Sequence, residues 1–137
     1  MGPWRIIAVM DNPVERRFAD AVETYSRKSR DEIDVHFRWR DQTLQGPVKT
    51  HDFSSRVVDR NTGAVWKMNL FPLLRARYVV LAVDSHYRWA AVGHPSRRFG
   101  WVLAREAHLD EEKYRDLMGV FAEQGYDTRR FVRVPQP

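Results

Sequence analysis

Ile33-Asp34-Val35-His36-Phe37-Arg38-Trp39-Arg40 alternates without a break. Four apolar side chains fall on one face and four polar or charged ones on the other. A period of two over eight residues marks a strand with one face in a core and one in water. Upstream, Trp4 and Ile6–Val9 read as a first strand, ended by Asp11-Asn12-Pro13, because proline cannot donate to a ladder. Residues 12–20 read as a loop holding Val14 and Phe18 among charges, residues 21–28 as a second strand, and Ser29-Arg30-Asp31 as a polar turn.

Downstream the same grammar repeats. After a loop over 42–47, residues 48–58 read as a fourth strand, and Asp59-Arg60-Asn61-Thr62-Gly63 is a turn. Trp66, Met68 and Leu70 alternate with Lys67 and Asn69 in a fifth strand, which residues 71–76 break. Further strands are expected over 78–83, 87–92 and 99–105. Turn signals every ~8–12 residues indicate an all-β barrel or sandwich. Then the period changes. Leu109, Tyr114, Leu117, Met118 and Phe121 are spaced for one helix, with Asp110 as N-cap and Gly125 as stop. Phe131, Val132 and Val134 form a short last strand.

The chain of 137 residues is read as a single domain, 1–137, large enough for a core. Its longest apolar run is far short of the ~20 residues that span a bilayer. The absence of Cys removes disulfides, thiolate metal sites, a Cys nucleophile and a lipid-modified Cys from consideration. As written, without a leader, the chain reads most simply as cytosolic. The net charge of +5 favours anionic partners.

Three motifs then resemble one family, the lipocalins, closest to the bacterial outer-membrane lipocalins and the related apolipoprotein D and plant lipocalins. Gly2-Pro3-Trp4 is similar to the family's Gly-x-Trp. Val83-Asp84-Ser85-His86-Tyr87 is similar to its second motif, where an Asp and a Tyr shape a tight turn. Trp101-Val102-Leu103-Ala104-Arg105 is similar to the third, whose Arg packs on the first-motif Trp. Tyr25-Ser26 and the ending from Phe131 resemble the bacterial branch. The chain departs from the pattern in Arg5 and Ile6 after the Trp, in the missing segment before Gly2 and in the absent anchor Cys. The resemblance implies an eight-stranded antiparallel up-and-down β-barrel, with one α-helix packed outside and a short final strand. Gly2, Trp4, Asp84, Tyr87 and Arg105 would then be structural. Similar bacterial lipocalins are outer-membrane lipoproteins, so the compartment stays open.

An eight-stranded barrel can hold one small ligand, and alternation assigns the lining. Carried round the barrel by the resemblance, the inner set is Tyr25, Ile33, Val35, Phe37, Trp39, Phe53, Val57, Trp66, Met68, Leu70, Tyr78, Val80, Trp89, Trp101 and Leu103, with Glu23 beside Tyr25. Four Trp side chains leave limited width, which favours an acyl chain over a bulky polycycle. The expected ligand is a fatty acid or lysophospholipid, with Glu23 a partner for its head. The mouth would carry Arg16, Arg17, Arg75, Arg77, Arg97 and Arg98, with Phe71-Pro72-Leu73-Leu74 in one loop suiting an anionic membrane surface.

None of the five His has metal-ligand spacing with another His or a carboxylate, and no catalytic constellation is assembled, so neither metal nor cofactor is expected. The alternative is an enzyme using Glu23, Tyr25 and Tyr78 on a lipophilic substrate. Nucleic-acid binding is disfavoured, because the aromatics fall on the inward parity and the outward Arg38 and Arg40 lack aromatic neighbours. A monomer or homodimer is expected.

Overall fold

The computed structural model of the protein describes residues 2–57, 65–71 and 74–137, and the side chains of 2–56 and 78–137. Eight strands follow one another: β1 (Gly2–Met10), β2 (Phe18–Arg27), β3 (Glu32–Asp41), β4 (Val48–Val57), β5 (Val65–Phe71), β6 (Leu74–Val83), β7 (Trp89–Gly93) and β8 (Gly100–Ala104). A helix, α1 (Glu111–Glu123), and a short β9 (Phe131–Arg133) complete the chain. Each strand pairs antiparallel with the next, and β1 pairs with both β8 and β2, so the pairings run full circle. This is the up-and-down barrel, the arrangement that leaves no sheet edge.

The β1–β2 seam has two halves. Gly2–Arg5 pair directly with Val22–Tyr25. Above them, Ala8–Met10 pair with β9 instead. The tail continues the seam: Val134 N–H donates to Ile7 O at 2.9 Å, Asp20 N–H to Pro135 O at 2.8 Å, and Gln136 Nε2 to Ile6 O at 2.9 Å.

Strand β2 starts at Phe18, where a loop to residue 20 was expected. The reason is a bulge: Asp20 takes φ +45°, and the register shifts between Ala19 and Val22. That kink aims the Asp20 carboxylate outward at Arg5 (2.9 Å), with Arg38 (3.5 Å) and Arg40 (4.0 Å) beyond. A charge with cationic neighbours is tolerated there despite burial.

Two cores result. The first fills the barrel and contains Trp4, Ile6, Val9, Phe18, Tyr25, Ile33, Val35, Phe37, Trp101 and Leu103, with Trp39, Phe53 and Tyr78 packed against it. The second lies between the outer wall and α1, joining Ile7, Ala8, Met10, Ala91 and Val102 to Leu117, Phe121 and Tyr126. A bulge between Ile6 and Ala8 lets β1 serve both, since Ile6 and Val9 face in while Ile7, Ala8 and Met10 face the helix.

The helix starts and stops where its sequence directs. The Asp110 carboxylate accepts from Glu112 N–H at 2.9 Å, and Gly125 follows the helix at φ +89°. Tyr126 then pins the helix end to the barrel. Its hydroxyl accepts from His94 N–H at 3.0 Å and donates to His94 O at 2.9 Å. Gly93 makes room for it, since a Cβ there would lie 2.1 Å from the hydroxyl.

One lining assignment is corrected. Trp89 faces out, into the helix-side core, where Lys113 Nζ sits 4.9 Å from its ring centroid. Register explains this. Ala90 lies opposite Leu103 and Val92 opposite Trp101, so the small residues of β7 are the inward ones. An aromatic on this strand stays covered because α1 buries the outer wall.

Candidate functional site

The strand directions give the barrel a closed end and a mouth. At the closed end the Arg105 guanidinium stacks 3.8 Å from the Trp4 ring centroid, and donates to Pro3 O at 2.8 Å and Tyr87 O at 3.0 Å. Beside it, Asp84 closes the β6–β7 turn by accepting from the Arg88 guanidinium at 2.7 Å. That bond holds the Asp84 carboxyl down at about 2. Tyr87 adopts φ +56° in the same turn, with its side chain exposed. All five motif residues therefore sit at this end and away from the barrel interior's middle.

The interior is walled by aromatic rings. Phe18, Phe37 and Trp39 form one cluster, with centroids 4.7–5.4 Å apart. Tyr78 and Trp101 stack at 4.4 Å as a second. Val35 and Leu103 are buried in the same core, and Phe53, opposite Val35, packs against it. Val80 lies opposite the inward Val92. The expected lining residues Val57, Trp66, Met68 and Leu70 have side chains outside the described residues.

Polar groups enter this interior at two levels. Glu23 is buried, 3 % exposed, opposite Trp4 and Phe37. Tyr25 OH donates to Glu23 Oε2. Burial pushes the Glu23 carboxyl up to about 7; the Tyr25 hydrogen bond opposes this and the charge of Glu15 adds to it. Burial likewise pushes the Tyr25 and Tyr78 hydroxyls well up. Nearer the mouth, Glu15 accepts from Trp101 Nε1 at 2.5 Å and from Asn12 Nδ2 at 2.8 Å. Burial raises its pKa too.

Glu15 escaped the sequence reading because it lies in a short 3-10 turn, Glu15–Arg17, where strand parity does not apply. The usable signal was Asn12, whose Oδ1 accepts from the Glu15 N–H at 2.9 Å and starts that turn. Phe18 was missed because the bulge at Asp20 breaks the parity of β2 between it and Tyr25. His51 and Ser55 were missed because β4 is polar on both faces. Register places His51 opposite Phe37 and Ser55 opposite Ile33, hence both on the inner side.

The mouth arginines are less available than their number suggests. Arg16 pairs with Asp11 at 3.0 Å and Arg17 with Asp41 at 2.7 Å. Arg97 donates from Nε to Gln124 O at 2.6 Å, docking onto the end of α1. Arg98 is exposed, and the side chains of Arg75 and Arg77 lie outside the described residues, as do residues 72–73.

Comparison with known proteins agrees with this geometry. A family model described as a lipocalin-like domain matches residues 1–136. The outer membrane lipoprotein Blc of Escherichia coli strain K12 is 27 % identical over 137 residues, covering all of this chain and 77 % of its own length. Temperature-induced lipocalin-1 of Arabidopsis thaliana is 41 % identical over 59 residues, 43 % of this chain and 32 % of its own. Among solved structures, lobster apocrustacyanin A1 superposes with a TM-score of 0.79 at 16 % identity, covering 99 % of this chain and 77 % of its own. Siderocalin Ex-FABP superposes at 0.73 and 14 %, covering 99 % and 93 %. The ring of eight strands, the stacked Trp4–Arg105 pair and the family match together place this chain in the lipocalin family, whose members bind small hydrophobic ligands.

Proposed function

We propose that the protein carries one small amphiphilic lipid, a fatty acid or lysophospholipid, with its chain inside the barrel and its head at the mouth. The aromatic wall carries this reading. Phe18, Phe37 and Trp39 on one side and Tyr78 and Trp101 on the other suit a narrow apolar chain. Arg75, Arg77 and Arg98 are the mouth cations to which an anionic head, or an anionic membrane surface, would bind. In this reading the protein is a carrier that exchanges its ligand at such a surface.

A fluorescent fatty acid titrated into wild type and an Arg75→Glu/Arg77→Glu variant at low salt tests the head-group part. The expected loss is about tenfold in affinity, or ~1.4 kcal/mol. Equal affinities would move the head elsewhere.

A further inference from the structure

The tail is bonded unevenly to the two strands it lies between. It runs antiparallel to β1 and therefore parallel to β2, since β1 and β2 are themselves antiparallel. On the β1 side it is well held. Three register pairs join it to Ala8–Met10, and Val134 N–H and Gln136 Nε2 donate to the carbonyls of Ile7 and Ile6. Arg133 ties it to α1, bonding Glu111 at 2.8 Å and lying 3.5 Å from the Tyr114 ring centroid. On the β2 side, among the described residues, a single backbone hydrogen bond crosses, from Asp20 N–H to Pro135 O.

The residue types explain the difference. Backbone N–H groups of an extended chain point to its two sides in alternation. Val134 N–H points to β1, so the positions facing β2 are 135 and 137. Both are proline and have no proton to donate. Opposite them the mouth end of β2 is loosened too. A bulge, with Asp20 at φ +45°, separates Phe18 and Ala19 from the continuous β3 ladder that begins at Val22. Inside, the line is sealed by apolar packing of Phe18, Ala21 and Val134 in the barrel core. Below, the Arg5–Asp20 bridge at 2.9 Å and the pairing of Gly2–Arg5 with Val22–Tyr25 set its lower limit.

The top of the barrel is obstructed by contrast. Glu15 reaches in from its turn to Trp101 Nε1 at 2.5 Å, and Trp101 stacks on Tyr78 of β6 at 4.4 Å. We infer that the lipid chain enters and leaves sideways, between the mouth end of β2 and the tail, while its head stays at the rim. This rests on the carriage reading and adds the route by which the site is filled. An opening continuous with the mouth lets an amphiphile slide in without drawing its polar head through apolar surroundings. The tail stays on β1 and α1, and residues 18–20 move away from it at the loss of one backbone bond.

Stopped-flow kinetics of a fluorescent fatty acid test the route, because an obstacle on the path slows association and dissociation together and leaves their ratio alone. The chain lacks Cys, so Ala19→Cys with Pro135→Cys places one disulfide across the line, where neighbouring strands lie ~5 Å apart. Oxidised, this variant is expected to take up and release lipid about tenfold more slowly than when reduced, with Kd within about twofold. Pro135→Ala with Pro137→Ala restores two donors facing β2 and should slow both rates about fivefold, the worth of one backbone hydrogen bond. Equal rates in the oxidised and reduced protein overturn the inference, send the lipid through the mouth and leave carriage standing. A change in Kd through one rate alone also overturns it, since the two positions then touch the ligand. Where the disulfide variant folds poorly the proline variant decides, unchanged rates counting against the route. If the fatty acid does not bind the wild-type protein, carriage falls and the inference with it.

Discussion

Glu23 is a buried acid whose ionisation falls near neutral pH. Its carboxyl titrates at about 7 in the fold against an ordinary 4.5, because burial penalises the charged form. Between those values the folded state holds a proton that the unfolded state has lost. Stability is therefore fullest below ~4.5, falls as pH rises towards 7, and levels off above. The loss is of order 3 kcal/mol. Glu23→Gln keeps an acceptor for Tyr25 and cannot ionise. Thermal melts should show it more stable than wild type at pH 8 by about that amount, and close to wild type at pH 5. Equal melting temperatures at pH 8 would mean that Glu23 is solvated. Parity in the sequence had already turned Glu23 inward beside Tyr25. Its depth was not legible, because depth is set by pairing with Trp4 and Phe37 on other strands.

Elements show where local pattern is enough and where it fails. The strand over Ile33–Arg40 and the helix over Glu111–Glu123 were legible, since each repeats its own period and carries its own stops. Strand β7 was not. Its inner residues are Ala90 and Val92 and its aromatic faces a helix, so hydrophobicity ranks the wrong face as the interior. Helix α1 thus changes the rules for the wall beneath it. Gly93 is where that wall and the helix end meet. Adding a methyl group there must displace Tyr126, whose hydroxyl holds His94 on both sides. Gly93→Ala is expected to cost ~1–3 kcal/mol in denaturant unfolding. In a Tyr126→Phe background the same change should cost less, a coupling that a double-mutant cycle measures directly.

For the whole molecule, the Trp4–Arg105 contact joins residues from both ends of the strand order across the closed end. The motifs announced this contact, and the structure gives it a stack and two carbonyl partners. Arg105→Ala should lower stability by ~1–2 kcal/mol through loss of the stack and those bonds. Affinity per folded molecule should stay within about threefold, since that change is under ~1 kcal/mol. Affinity lost without a change in stability would place the ligand at the wrong end. The mouth was the least legible region. Arginine count suggested a basic ring, whereas Asp11, Asp41 and the carbonyl of Gln124 occupy three of its members.

The two-part seam also sets an order of assembly. Strand β1 leads the chain, yet on the side facing β2 its upper half pairs with residues 131–136. Until residues 131–136 have left the ribosome, Ala8 and Val9 can pair with β8 but Ala8–Met10 cannot pair with β9, and the Asp20 amide lacks its carbonyl. A nascent chain therefore presents a half-open slit beside Ile7 until residues 131–136 are free to pair. Because these contacts link positions more than a hundred residues apart, that last stitch belongs among the slow, non-local steps of folding.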